Sequence, residues 1–198
     1  AWHYKWSVLH DPQGLINLMG GRENFTEKMD SIFTSKPTSD YSYYGFKIHE
    51  ILEMELAGMG QYAHGNQPIQ HAIYLYNYAR QPWKTQEKVR YVMDNLYGDG
   101  ADGYCGDEDN GQTSAWFVFS SLGFYPVAPV TGQYILGSPL FKEVEIDLNN
   151  GKTLRINAKN NSGNNIFIDS FKFNQLVSNK NWIDHKDLRN GGVIDFKM

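Results

Sequence analysis

The sequence predicts an α+β chain, helices first and a small antiparallel β-sheet after them. Apolar residues recur at helical spacing as far as Leu122, and at a spacing of two after Pro129. Charge changes sign along the chain: residues 1–131 carry 9 basic and 15 acidic side chains, whereas residues 132–198 carry 9 and 7. Trp2, Trp6, Trp83, Trp116 and five of the six histidines lie in the first part, while the second alternates β-formers with Asn and Gly. These shifts place a boundary near Gly132, between a helical part, 1–131, and an antiparallel β segment, 132–198.

Asp11-Pro12 supplies a cap and a first-turn proline, Leu15, Ile16, Leu18 and Met19 follow, and Gly20-Gly21 ends a short helix. Phe25, Met29, Ile32 and Phe33 mark a second, before Pro37. A third is expected over Phe46 to Leu56 with Ile48, Ile51, Leu52 and Leu56 inward. A fourth runs from Asn66, read as its cap, to about Ala79, with Pro68 tolerated in the first turn. Pro82 opens a fifth with the stripe Val89, Val92, Met93 and Leu96, and a sixth runs from about Thr113 to Leu122. Helices joined by short loops with no strands between them argue for antiparallel helix packing. Val144, Ile146 and Leu148, then Asn149-Asn150-Gly151, then Leu154, Ile156 and Ala158 read as a hairpin. Ile166 to Phe173 and Val193 to Phe196 are expected as further strands.

With 198 residues, 41% of them hydrophobic, the chain has material for a packed core, and no stretch is long and apolar enough to span a membrane. The net charge of −4 offers no source for the phosphate attraction behind nucleic-acid binding, so neither nucleic acid nor membrane is an expected partner. The single cysteine, Cys105, excludes an internal disulfide and a cysteine-built zinc cage. Trp2-His3-Tyr4-Lys5-Trp6 is unlike the apolar core of a signal peptide and reads as a cut through a folded segment.

Three familiar patterns fail on inspection. Gly98-Asp99-Gly100-Ala101-Asp102-Gly103 spells GxGxxG but follows a helix, and its aspartates would repel a pyrophosphate. His49-Glu50-Ile51-Leu52-Glu53 opens like a zincin helix, yet Glu53 stands where the second histidine is required. Asp107-Glu108-Asp109-Asn110-Gly111 resembles a calcium loop, but its glycine comes one place early and Val118 holds the twelfth position. What survives is the density of Asp99, Asp102, Asp107, Glu108 and Asp109, five like charges that need donors, a cation or water around them. Such a cluster is either a solvated loop or a site. In an extended stretch Asp107 and Asp109 project to one side, and carboxylates near Tyr97, Tyr104, Trp116, Phe117 and Phe119 suit acid/base work on a sugar. Tyr62-Ala63-His64-Gly65-Asn66-Gln67-Pro68 offers oxygen and nitrogen donors at a helix start, although capping alone would explain Asn66.

The run Gly103-Tyr104-Cys105-Gly106-Asp107-Glu108-Asp109-Asn110-Gly111-Gln112-Thr113-Ser114-Ala115-Trp116, with Gly123-Phe124-Tyr125-Pro126 and Gly137-Ser138-Pro139-Leu140-Phe141, closely resembles the signature region of the calcium-dependent inverting exo-α-mannosidases, family 92 of the glycoside hydrolases. Trp2 to Trp6, His64 to Pro68 and the Asn-rich closing strands extend the resemblance over essentially the whole chain. Family members are longer, so the resemblance implies a C-terminal portion holding the later helices of an (α/α)6 toroid, with an N-terminal portion of the same protein as its partner. It implies terminal α-mannose of glycans as substrate, Asp109 as general base assisted by Asp107, and Ca²⁺ as cofactor. His64, Asn66, Gln67 and Trp116 would then contact substrate, Asn66 and Gln67 would offer oxygens to the metal, and a glutamate upstream of Ala1 would be the acid. An inverting pair of that kind stands about 6.5–9.5 Å apart. Gly65 departs from the glutamate found there in the enzymes that cut 1,2 linkages. The resemblance places the protein outside the cytoplasm and leaves the isolated chain inactive. The competing expectation is a non-catalytic carbohydrate-binding or structural portion.

Overall fold

In the computed structural model, residues 2–37 and 40–198 are described; the expectation attached to the chain's start at Ala1 lies outside them. A 3₁₀ turn at Tyr4–Trp6 leads into α1 (Pro12–Leu18), where the Asp11 side chain accepts from the Gly14 amide at 2.8 Å, as the cap reading expects. Then come α2 (Arg22–Thr34), α3 (His49–Leu56), a 3₁₀ helix over Gln67–Asn77, α4 (Pro82–Asn95) and α5 (Gln112–Ser121). The strands are β1 (Phe124–Tyr125), β2 (Gln133–Leu136), β3 (Glu143–Asp147), β4 (Thr153–Asn157), β5 (Ser170–Phe173), β6 (Leu176–Ser178), β7 (Trp182–Asp184) and, after α6 (His185–Leu188), β8 (Gly192–Lys197).

The Gln67–Asn77 helix is the axis of the helical core. Every residue from Ile69 to Asn77 is buried, and Trp6, Phe25, Ile32, Val89, Val92 and Trp116 surround it. The helix has no solvent face, and its polar Gln70, His71 and Asn77 are each hydrogen-bonded inside the fold. Its 3₁₀ form corrects the expected α-helix. Side chains along it are tied to separate elements, His71 Nε2 to the Trp6 carbonyl and Tyr74 Oη to Ser120 Oγ, both at 2.8 Å. The longer 3₁₀ rise of about 2 Å per residue spreads these anchor points further apart than an α-helix would. Asn66 does not cap it; that amide bonds to the His3 ring instead.

α3 also departs from expectation. It begins at His49 rather than Phe46, and its inward residues are Ile51, Glu53 and Met54, while Leu52 and Leu56 are 47% and 77% exposed. The carboxylate of Glu53 finds backbone donors in the core and so fixes the rotation of the helix, turning both leucines outward.

Two sheets follow. One has the order β1-β2-β7 and straddles Gly132; the other runs β3-β4-β8-β5-β6. The β3–β4 hairpin has the expected register, Val144 opposite Ile156 and Ile146 opposite Leu154. The sheet is mixed, not antiparallel: β8 enters between β4 and β5, parallel to the first and antiparallel to the second. A parallel neighbour needs a long crossover, and the segment carrying β5, β6, β7 and α6 supplies it. The expected strand from Ile166 begins only at Ser170, because the Ile168 amide is taken by Gln86 Oε1 of α4 at 3.0 Å.

Helices and sheet are joined by a buried clasp. Arg90 Nη1 donates to the Pro139 carbonyl at 2.9 Å and to Asn161 Oδ1 at 2.6 Å, and Asn161 Nδ2 donates to the carbonyls of Pro139 and Leu140 at 3.0 and 2.8 Å. Removing one partner strands the others without water. Asn161→Ala is therefore expected to cost about 2–3 kcal/mol, read as a lowered midpoint in chemical unfolding. An unchanged midpoint would show that the clasp contributes nothing net.

Candidate active site

The acidic loop and the His64 segment meet through their backbones. A Cβ added to Gly106 would lie 2.7 Å from the Gly65 Cα, and one added to Gly65 would lie 2.8 Å from the Gly106 Cα. Atoms cannot approach that closely, so both positions must lack side chains. Glu53 reinforces the contact: its carboxylate accepts from the amides of His64 and Gly65, the second at 2.9 Å, and from the Cys105 thiol. Burial raises the Glu53 carboxyl to about 7 against these donors, and pushes the Cys105 thiol up to about 12. Both line a cleft of about 460 Å³ with His49, Leu52 and Leu56.

His64 and Trp116 are wholly buried, their ring centroids 4.3 Å apart. Tyr97 donates its hydroxyl to the Thr113 carbonyl at 3.2 Å, which leaves its oxygen to accept from His64 Nε2 at 2.7 Å. His64 Nδ1 then accepts from Tyr62 Oη at 2.7 Å. This network assigns a neutral imidazole, and burial lowers its pKa to about 3.

Thr113, also buried, connects this chain to the loop. Its hydroxyl donates to the Asp107 carbonyl at 3.0 Å and accepts from Gln70 Nε2 at 3.2 Å. Gln67 Nε2 donates to the same Asp107 carbonyl at 2.7 Å. Gln67 and Asp107, forty residues apart in sequence, are thus held together. Glu108 turns back onto α5, its carboxylate accepting from Gly111 N at 2.7 Å and Ser114 Oγ at 2.6 Å, and these bonds lower its pKa. It caps the helix where the dipole favours an anion.

Asp107 and Asp109 are left exposed on the loop, outside the Glu53 cleft. The stretch is not uniformly extended: Asp109, Asn110 and Gly111 have φ of 50°, 56° and 97°. Asn66 and Gln67 spend their amide nitrogens on His3 and Asp107, and their side-chain oxygens have no hydrogen-bond partner among the described residues. Two neutral oxygens suit a hard cation but make only part of a calcium shell. Among the described residues no three His, Cys, Asp or Glu side chains converge as a metal-holding group.

Glu53, Gln70 and Thr113 are the parts that sequence reading missed, and Tyr97 and Glu108 were read only as an aromatic neighbour and as one charge of a cluster. Glu53 carried a signal, a carboxylate between Ile51 and Met54 on the inward phase of α3. The importance of Gln70, Tyr97 and Thr113 comes from bonds that tie segments 16 to 43 positions apart, and that of Glu108 from folding back onto a helix where the sequence showed only a charge cluster.

Substituting Gly106→Ala is expected to lower stability by about 1–3 kcal/mol, a fall of several degrees in Tm, because two backbones must separate. A Tm equal to wild type would refute the close contact. Glu53 has a folded pKa near 7 against an ordinary 4.5, so its contribution to stability is full below 4.5 and lost as the pH rises through 7. His64, whose pKa is depressed, contributes fully above its ordinary 6.5 and loses that contribution on acidification. Stability measured from pH 6.5 to 8 should fall by about 1 kcal/mol in the wild type, the end of a total Glu53 loss of about 3 kcal/mol that begins near pH 4.5, and stay level in Glu53→Gln. Parallel pH profiles would rule the coupling out.

The family model described as the glycosyl hydrolase family 92 catalytic domain matches residues 1–198. A family GH92 inverting mannosidase from Bacteroides thetaiotaomicron is 53% identical with a TM-score of 0.84; this chain is covered completely and spans 27% of that one. A family GH92 α-mannosidase from the same organism, in complex with mannoimidazole, is 35% identical with a TM-score of 0.88, and the chain covers 25% of it. An uncharacterized secreted glycosidase of Arthroderma benhamiae is 27% identical over 200 residues, which are 23% of its length. The chain thus spans about a quarter of these relatives, and over that span it belongs to glycosyl hydrolase family 92.

Proposed function

We propose that the protein containing this chain releases terminal α-linked mannose from glycans by inverting hydrolysis, and that residues 1–131 are the later helices of its (α/α)6 toroid. The observation that carries this reading is the clamp holding Asp107 against Gln67. Three buried or half-buried groups, Thr113, Gln70 and Gln67, fix the main chain of the acidic loop while the side-chain carboxylates of Asp107 and Asp109 have no hydrogen bond or ion pair among the described residues. A general base has to be free to take a proton and held still while doing so.

In this mechanism Asp109 removes the proton from the attacking water and Asp107 orients it. The general acid is a glutamate from the part of the protein upstream of Ala1. His64 and Trp116, with no exposed surface, act behind the loop and not by touching the sugar. Calcium would supply charge for the sugar hydroxyls, with Asn66 Oδ1 and Gln67 Oε1 among its ligands and the rest drawn from water, substrate or other parts of the protein. The secreted glycosidase relative supports a place outside the cytoplasm.

The test uses the full-length protein. Asp109→Asn is expected to reduce mannose release by at least about 100-fold, and chelation by EGTA to suppress wild-type turnover until calcium is restored. Turnover unaffected by the substitution would reject Asp109 as the base, and mannose release indifferent to EGTA would reject the metal. Calorimetric binding of neither calcium nor mannose by the full-length protein would favour the non-catalytic reading.

A further inference from the structure

A second cavity, of about 670 Å³, shares no residue with the Glu53 cleft or the acidic loop. Arg22, Arg80, Gln13, Gln133, Asn181 and Trp182 are among its lining residues, and no carboxylate is. That is notable in a chain whose first 131 residues hold 15 acidic side chains against 9 basic ones.

Both arginines occupy positions that local physics disfavours. The amide of Gln81 bonds to the Tyr76 carbonyl and that of Arg80 to the Asn77 carbonyl, the pattern that closes a helix through a left-handed residue. That residue is Arg80, with φ of 63°, where glycine fits without strain. Arg22 is the first residue of α2, at the positive end of the helix dipole, and the preceding Gly21 leaves the first-turn amides without a side-chain cap. Neither guanidinium has an ion pair or a side-chain hydrogen bond among the described residues.

The other walls suit a hydroxylated ring. Gln13, Gln133 and Asn181 offer amides; Asn181 Nδ2 is anchored on the Asn77 carbonyl at 2.9 Å, which holds that side chain in place. Trp182 supplies an aromatic wall and keeps a buried Nε1–H without a partner among the described residues. We propose that this cavity binds an oxyanion carried on a sugar ring, the guanidiniums taking the anion and the amides the hydroxyls. The site is separate from the mannose chemistry above and does not depend on it.

Titrating the full-length protein with mannose 6-phosphate, glucuronate, inorganic phosphate and mannose, by calorimetry, tests this. At least one of the first two should bind saturably, about tenfold or more tighter than phosphate or mannose, and weaken with salt; which of the two binds identifies the anion. Arg80→Gly should lose that binding by about tenfold or more while its Tm does not fall and its turnover of neutral substrate is unchanged, since glycine relieves the left-handed backbone. Arg22→Gln should weaken the same ligand. The proposal is overturned if no anionic sugar binds saturably, if phosphate or mannose alone binds as tightly, or if Arg80→Gly binds as the wild type does.

Discussion

The site depends on two backbones touching. With no side chain on Gly65 or Gly106, the segment after the Gln61–Ala63 core lies directly against the start of the acidic loop. Every downstream arrangement follows from that spacing. Gln67 reaches Asp107 because the chain two residues earlier is already in van der Waals contact with the loop, and Thr113 can touch both because α5 begins immediately after it. Gly65 is therefore not merely a position where a side chain is missing from a sugar pocket. It is a structural requirement of the loop's placement.

Magnitudes decide how Glu53 serves this contact. Two backbone amides and a thiol donate to its carboxylate, and each bond favours the charged form. Burial nevertheless wins and carries the pKa to about 7, so near neutrality the group exists in both protonation states. Were the donors absent, a carboxyl this buried would stay protonated throughout the physiological range. Were burial absent, it would be an ordinary surface anion with no reason to hold His64 and Gly65. The balance lets one side chain brace the Gly65 segment while the exposed aspartates of the adjoining loop remain unbound and solvated.

Much of the fold was legible because local signals agreed with the packing. Asp11-Pro12, Pro82 and the NNG turn do in the structure what their chemistry predicts in isolation. The failures share a cause. Asn66 looks like a cap until His3, sixty-three positions away, takes its amide. Leu52 and Leu56 look inward until Glu53 claims that side of α3. The parallel pairing of β4 with β8 is invisible to a reading of neighbouring strands, since no local pattern states where a strand returns. Among site residues, Asp107, Asp109, Asn66 and Gln67 stood out by composition and motif. Thr113 and Gln70 did not, because a threonine and a glutamine become a clamp only when the fold brings them together from 43 positions apart.

The left-handed residues sharpen this distinction between local and distant causes. Asn174 and Gln175, at φ of 49° and 70°, form the two-residue turn of the β5–β6 hairpin, which demands positive φ at both places. Asn174 also accepts from the Val193 amide at 2.8 Å, so the turn is reinforced by its sheet. Asp109, Asn110 and Gly111 turn the chain sharply enough for the Glu108 carboxylate to fold back over the start of α5, and Asp and Asn are the side chains that tolerate this backbone best. In both turns all but Gln175 are residue types that suit the conformation, and Gln175 is held by the hairpin's two-residue geometry. Arg80 combines a left-handed backbone with a charged side chain that lines a cavity and has no ion pair or hydrogen bond among the described residues. A residue that local structure does not favour and tertiary contacts do not use is best explained by something outside the chain.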